Sequence, residues 1–231
     1  MKATKNGSGT TNRIADVVKE TAPAPTAPTA RGVTIAAPKI ETAEFRIIGN
    51  APYVQNKFSA KAGAAMRAKQ AEGDSAKNKR KREAKDFDAL YLESRHVSAD
   101  GWFGIPASAF RAALISACRM VKFPMTLAKL SIFVVADGYD ADTPLVRITK
   151  GDPSKVEHFV RNDSGVSDIR VRSMWSPGWE AVVRIRYSAD QFRLEDVTAL
   201  MHRVGMFVGV GEGRPDSKDS AGMGWGTFDL A

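Results

Sequence analysis

One cysteine, Cys118, stands in 231 residues. That excludes an intrachain disulfide and a thiolate-based zinc site. Cys118 falls inside an apolar helical pattern and reads as a small buried hydrophobe. A reduced compartment fits such sparing use of cysteine. Histidine is scarce too: His96, His158 and His202 are dispersed along the chain. No metal-ligand spacing, serine-nucleophile motif or paired-carboxylate motif accompanies them. The expectation is therefore no metal, no cofactor and no catalytic set, with a lone histidine acting as general base as the remaining enzymatic alternative. No run approaches the ~18 apolar residues of a membrane-spanning helix, and the N-terminus lacks the apolar core of a secretory signal. Together these features predict a soluble intracellular protein without a membrane partner.

What the chain does have is positive charge, unevenly placed. The formal net charge is +8. Residues 57–85 carry ten Lys and Arg against Glu72, Asp74 and Glu83, and so hold most of that excess. Residues 86–231 are slightly acidic, with 17 bases and 19 acids. A basic appendage on a near-neutral body suggests a polyanionic partner. Within it, Lys77, Lys79, Arg80, Lys81 and Arg82 crowd into six residues. They are candidates for sequence-independent phosphate contacts, with a solvated charged loop as the alternative.

Periodicity divides the rest. Residues 1–40, rich in Gly, Thr, Ala and Pro, read as a disordered low-complexity tail. A domain over 41–231 follows, carrying the basic insertion 56–86 and a second insertion, 137–168. Residues 43–48 alternate as a strand. Residues 105–121 hold apolar positions at helical spacing, with Pro106 in the first turn. Residues 130–136 read as a central strand and 145–149 as a short one. Residues 169–175 and 179–187 flank Ser176-Pro-Gly178, a turn signal, and read as a hairpin. Residues 194–204 form a second amphipathic helix with Gly205 as its C-cap, and 225–230 a last strand. Stripped of insertions, the order is strand, helix, strand, strand, helix, strand. The predicted class is α+β with a ferredoxin-like, RRM-like βαββαβ core.

Two further groupings carry binding chemistry. In the predicted hairpin, Arg170, Arg172, Arg184 and Arg186 alternate with apolar residues, which gathers the arginines of each strand on one face. With Trp175 and Trp179 at the tip, such a face can stack bases and hold phosphates; an ordinary solvated strand face is the alternative. Residues 205–231 contain seven glycines. So many imply a backbone at positive φ, or one lying close against another. Gly209, Gly211, Gly213, Arg214 and Lys218 are candidates for holding a phosphate backbone. A tight structural loop is the other reading. The pattern is neither a P-loop nor a Rossmann fingerprint, because no strand leads into it.

Gly104-Ile-Pro-Ala-Ser-Ala-Phe-Arg-Ala-Ala-Leu114, Gly209-Val-Gly-Glu-Gly-Arg-Pro215 and Gly222-Met-Gly-Trp-Gly-Thr-Phe228 together resemble the RAMP superfamily, the RNA-binding proteins of CRISPR–Cas systems. In that family an Ile-Pro-x-Ser-like segment opens the first helix, and a glycine-rich loop lies between the second helix and the last strand. The resemblance covers residues 43–231. It implies a non-enzymatic protein that binds single-stranded nucleic acid, RNA foremost, in a prokaryotic or phage-infected cell. It also implies self-association along the strand, as in guide-RNA-binding backbone subunits, with 56–86 and 137–168 in the place of their inserted arms. Two alternatives stand beside it. One is a phage-encoded interaction protein or inhibitor that docks on a CRISPR effector or phage protein complex. The other is a metal-independent ribonuclease.

Overall fold

The computed structural model describes residues 35–58, 60–72, 85–161, 165, 167–217 and 222–231. They belong, but for Ile35 and Ala36, to a unit running from Ala37 to Ala231. Most of the predicted tail and the centre of the basic insertion lie outside the described residues.

The architecture is α+β, with antiparallel pairing throughout the described strands. Strand β1 (Ile40–Gly49) pairs along its length with β9 (Glu180–Ser188), and at its end with β10 (Phe228–Leu230). Two strands share the far edge of β9. Strand β4 (Ile132–Val135) lies opposite Arg184–Tyr187, and β6 (Thr143–Lys150) opposite Glu180 and Ala181. Strand β6 in turn carries β3 (Gly104–Pro106) and β5 (Gly138–Asp140). A smaller sheet has the order β2 (Tyr53–Gln55), β8 (Ser167–Trp175), β7 (Pro153–Arg161).

Helices α3 (Ala107–Met120) and α5 (Leu194–Arg203) cover one face of the larger sheet. The spacing of Phe110, Ala113, Leu114, Ala117 and Cys118 forms a single stripe on α3, and all five are buried. Their counterparts are the inward rows of β1 (Ala43, Phe45, Ile47) and β9 (Ala181, Val183, Ile185). Each large side chain in that layer contributes about 1.5–3 kcal/mol on burial. Pro106 stands just before α3 as its N-cap rather than in its first turn. Helix α5 opens with Glu195 and Asp196 and closes with His202 and Arg203, the charge order that the helix dipole favours. The Asp196 carboxylate accepts from the Arg193 backbone N–H at 2.9 Å.

Three further details depart from the sequence expectations. The segment 130–136 is not one strand: helix α4 (Met125–Ser131) runs into it before β4 begins. Gly205 does not cap α5, because the chain continues through a π-helical turn, Val204–Val208, to Gly209. Glycine is needed at 205 for proximity instead, since a Cβ there would meet the Phe228 carbonyl oxygen at 2.1 Å. Within the basic insertion lies helix α1 (Ala60–Glu72), and just after it α2 (Phe87–Glu93), which buries no residue fully. Finally, the predicted hairpin does not exist. Strand β8 pairs with β2 and β7, whereas β9 pairs with β1, β4 and β6. The turn at Gly178 (φ 93°) hands the chain from one sheet to the other. Trp175 and Trp179 are fully buried against Tyr53, at ring separations of 5.3 and 5.5 Å, and make the core between the sheets.

Candidate nucleic-acid interface

Strand alternation turns Thr42, Glu44, Arg46 and Ile48 of β1 away from the helices, together with Val182, Arg184 and Arg186 of β9. Phe133 and Val135 of β4 join this row by register, opposite Arg186 and Arg184. Trp102, in the loop before β3, lies over the β5–β6 end, where Gly138 makes room for it. A Cβ at Gly138 would come within 2.6 Å of the indole.

Two aromatic–guanidinium stations result. The Arg147 guanidinium lies 5.8 Å from the Trp102 ring centre. Phe133 has two such neighbours, Arg111 at 5.0 Å and Arg186 at 5.7 Å. Both arrangements have cation–π geometry. Beside Trp102, a shallow depression of about 370 Å³ is lined by Glu44, Asp137, Arg147, Thr149, Val182 and Arg184.

The charges on this face are partly internally matched. Arg184 is ion-paired with Asp137 and, at 3.6 Å, with Glu44. Glu180 accepts from Lys150 at 2.8 Å and from Arg46 at 2.9 Å, which holds its carboxyl below the ordinary glutamate range. Arg147 and Arg186 have no carboxylate partner among the described residues. They are the cations available to an outside anion.

The sequence candidates are thus dispersed. Arg184 and Arg186 are on this face. Arg170 and Arg172 are on β8, in the other sheet. Arg170 is exposed, but the Arg172 side chain is only 14% exposed, ion-paired with Glu212 and donating to the Val171 carbonyl. No continuous arginine surface joins the two pairs. Lys77, Lys79, Arg80, Lys81, Arg82 and Lys218 lie outside the described residues.

The glycine loop has the backbone its composition implied, with Gly209, Gly211 and Gly213 at φ 69°, 86° and 74°. Several of its donors, however, are spent within the protein. The N–H of Glu212 goes to Val54 O (2.9 Å), that of Val210 to Gly226 O (3.0 Å) and that of Gly226 to Pro52 O (2.7 Å). Met223 and Trp225 both donate to Gly213 O. Arg214 donates to Gly211 O at 3.2 Å, and Asp216 accepts from Ser116 and Arg119 of α3. The structural alternative accounts for these contacts; nothing in them directs the amides at an anion.

One polar cluster was not legible in the sequence. His96 Nδ1 lies 2.8 Å from Asp140 Oδ2, which also receives Lys57 Nζ at 2.5 Å. Burial pushes the His96 imidazole below its usual pKa, against the pull of Asp140. Burial would raise the Asp140 carboxyl, but the hydrogen bonds and charges of Lys57 and His96 hold it low. The Asp140 carboxylate fixes the ring as an orienting partner does in acid–base pairs. His158 packs on Trp225 at 5.0 Å, its Nε2 buried without a partner, and His202 is exposed on α5. Among the described residues, no group of His, Cys, Asp and Glu is arranged to hold a metal, and no helix is long and apolar enough to cross a membrane.

The chain matches no known family model, and no curated protein matches it.

Proposed function

We propose that the chain is a non-enzymatic protein binding single-stranded nucleic acid, RNA in the first instance, on the open face of its larger sheet. The observation that carries this reading is the pair of stations, Trp102 with Arg147 and Phe133 with Arg186, on a face left free by both covering helices. Unpaired bases stack on aromatic rings, and adjacent guanidinium groups meet the phosphates. Duplex would be excluded, because its bases are already stacked.

The sheet order β10-β1-β9-β4, with α3 following β1 and α5 joining β9 to β10, supports a ferredoxin-like split βαβ core. That core is compatible with the resemblance to RAMP proteins, which would add self-association along a strand. The basic insertion supplies further phosphate contacts.

The test is fluorescence anisotropy with a labelled RNA octamer, its DNA equivalent and a duplex. Trp102→Ala should weaken single-strand binding by about 1–3 kcal/mol, the usual worth of one stacked base. Unaltered affinity in both Trp102→Ala and Arg147→Ala would overturn the proposal.

The His96–Asp140 pair favours a second reading, a metal-independent ribonuclease with His96 as base. Cleavage of the octamer by the purified protein, abolished in His96→Ala, would establish it; an intact octamer after prolonged incubation would remove it.

A further inference from the structure

We infer that the open face ends in a separate recess that takes one unpaired nucleobase, seated against Phe133. The inference rests on the nucleic-acid reading above and adds where a base is held and by what. The recess measures about 200 Å³ and lies where β1 starts and α4 hands over to β4; Ile40, Leu130, Phe133, Arg186 and Ser188 are among its walls.

Three observations select a base as its occupant. First, the walls are largely apolar and open, with Ser131 and Ser188 as their only neutral hydroxyl-bearing aliphatic side chains. Leu130 is 76% exposed, Ile40 54% and Phe133 39%, and the three border the same recess. No carboxylate lines it, so a cationic ligand has nothing to meet. Second, the two arginines at Phe133 differ in freedom. Arg111 is fixed by the carbonyls of Ile132 (3.0 Å) and Lys129 (2.5 Å). Arg186 is exposed and has no carboxylate partner among the described residues. Arg111 therefore stays on the ring while Arg186 is available to swing toward a phosphate. Largely apolar walls, one ring face and one unpaired cation suit a planar neutral group tethered to an anion, which is the chemistry of a nucleotide.

Third, the recess is distinct from the Trp102 depression. Arg186, opposite Phe133, is four residues along β9 from Val182, which lines that depression. At about 3.3 Å per residue the two are roughly 13 Å apart, so one extended strand can occupy both while neither station duplicates the other.

The experiment uses the full chain, a labelled oligouridine octamer and an abasic octamer of the same length, each titrated against wild type, Phe133→Ala, Leu130→Glu and Trp102→Ala. Phe133→Ala should weaken the uridine octamer about five- to 150-fold, the span expected for one lost stack, and leave the abasic octamer unchanged. Its slope of log affinity on log salt should stay as in wild type, since no phosphate contact is removed. Leu130→Glu, at a position too exposed to affect folding, should weaken the uridine octamer as well.

If Trp102→Ala weakens binding while Phe133→Ala and Leu130→Glu do not, the recess is no base site and the general reading survives. Equal weakening of both octamers by Phe133→Ala would also overturn it, because the loss would then not concern a base. If no variant weakens either octamer, the recess and the general reading fall together.

Discussion

Gly226 and Gly224 offer a controlled pair for the role of the C-terminal loop. Their backbones are alike, at φ 68° and 75°, so any L-residue pays a similar conformational cost there, about 1–2 kcal/mol. Their surroundings are opposite. A Cβ at Gly224 meets nothing within 4 Å, whereas at Gly226 it would fall 1.7 Å from the Val210 carbonyl oxygen. That contact cannot be relieved by a side-chain rotation, because the obstacle is backbone. Moving it disturbs the Val210 N–H bond to Gly226 O and the Gly226 N–H bond to Pro52 O. Each is worth about 1 kcal/mol net, and more if a donor is left buried and unmet. Gly224→Ala should therefore cost about 1–2 kcal/mol and Gly226→Ala about 3–5 kcal/mol. Urea unfolding of both variants beside wild type, with m-values compared to confirm a common unfolded state, reads the difference directly. Equal losses would refute the reasoning: the glycines would then be needed for φ alone, and the close packing of the loop on itself would be without energetic weight.

Three more outcomes are expected. Replacing Lys79, Arg80, Lys81 and Arg82 by Ala should weaken RNA binding uniformly across sequences and flatten the salt slope; an unchanged slope would detach the insertion from the phosphates. The depressed His96 pKa means that the unfolded chain takes up the proton first as pH falls, so this stabilisation is whole above about pH 6.5, the unfolded value, and is lost as pH drops through the folded one. Asp140, also depressed, adds a loss of the same sign at lower pH; urea midpoints should thus decline more steeply below neutrality in wild type than in His96→Gln, and parallel declines would refute this. Arg214→Ala removes one neutral-acceptor hydrogen bond inside the loop and should keep RNA affinity at a stability cost of about 1 kcal/mol; lost affinity with intact stability, in a titration and a melt of the same sample, would return the loop to the interface.

Much of the fold was legible because it follows from local periodicity. The alternation in β1 and β9 and the helical stripe on α3 are visible in the sequence and survive in the structure, since each is the burial of one face. What failed was long-range. Ser176-Pro-Gly178 announces a reversal correctly, but a turn signal does not say which sheet receives the next strand. Here the answer lies in Tyr53, over a hundred residues away, between whose neighbours Trp175 and Trp179 are buried. The run 130–136 misled for a related reason. Its mostly apolar, β-branched composition reads as a central strand, whereas the helix takes Leu130 and the strand exposes Phe133 and Val135.

The site was less legible than the fold, and for a chemical reason. The glycines drew attention because glycine at such density demands an explanation, and a ligand was one of two. The loop's hydrogen bonds favour the other: several of its amides are consumed by Val54, Pro52, Gly213 and Gly226, and a donor already paired offers an anion little. The open face has the reverse property. Trp102, Phe133, Arg147 and Arg186 are unremarkable singly, come from four separate segments, and set unmatched cations beside the exposed Phe133 and half-buried Trp102 rings only once β4, β6 and β9 are in register. Their one trace in the sequence is the alternation of Arg184 and Arg186 with Val183 and Ile185, which shows that a polar face exists without showing what stands next to it. A binding surface assembled from neighbours across strands is invisible to any reading along the chain, whereas a structural loop, being local, is conspicuous. That asymmetry is why, on the proposed reading, the stronger sequence signal marks the scaffold and the weaker one the surface on which the ligand would lie.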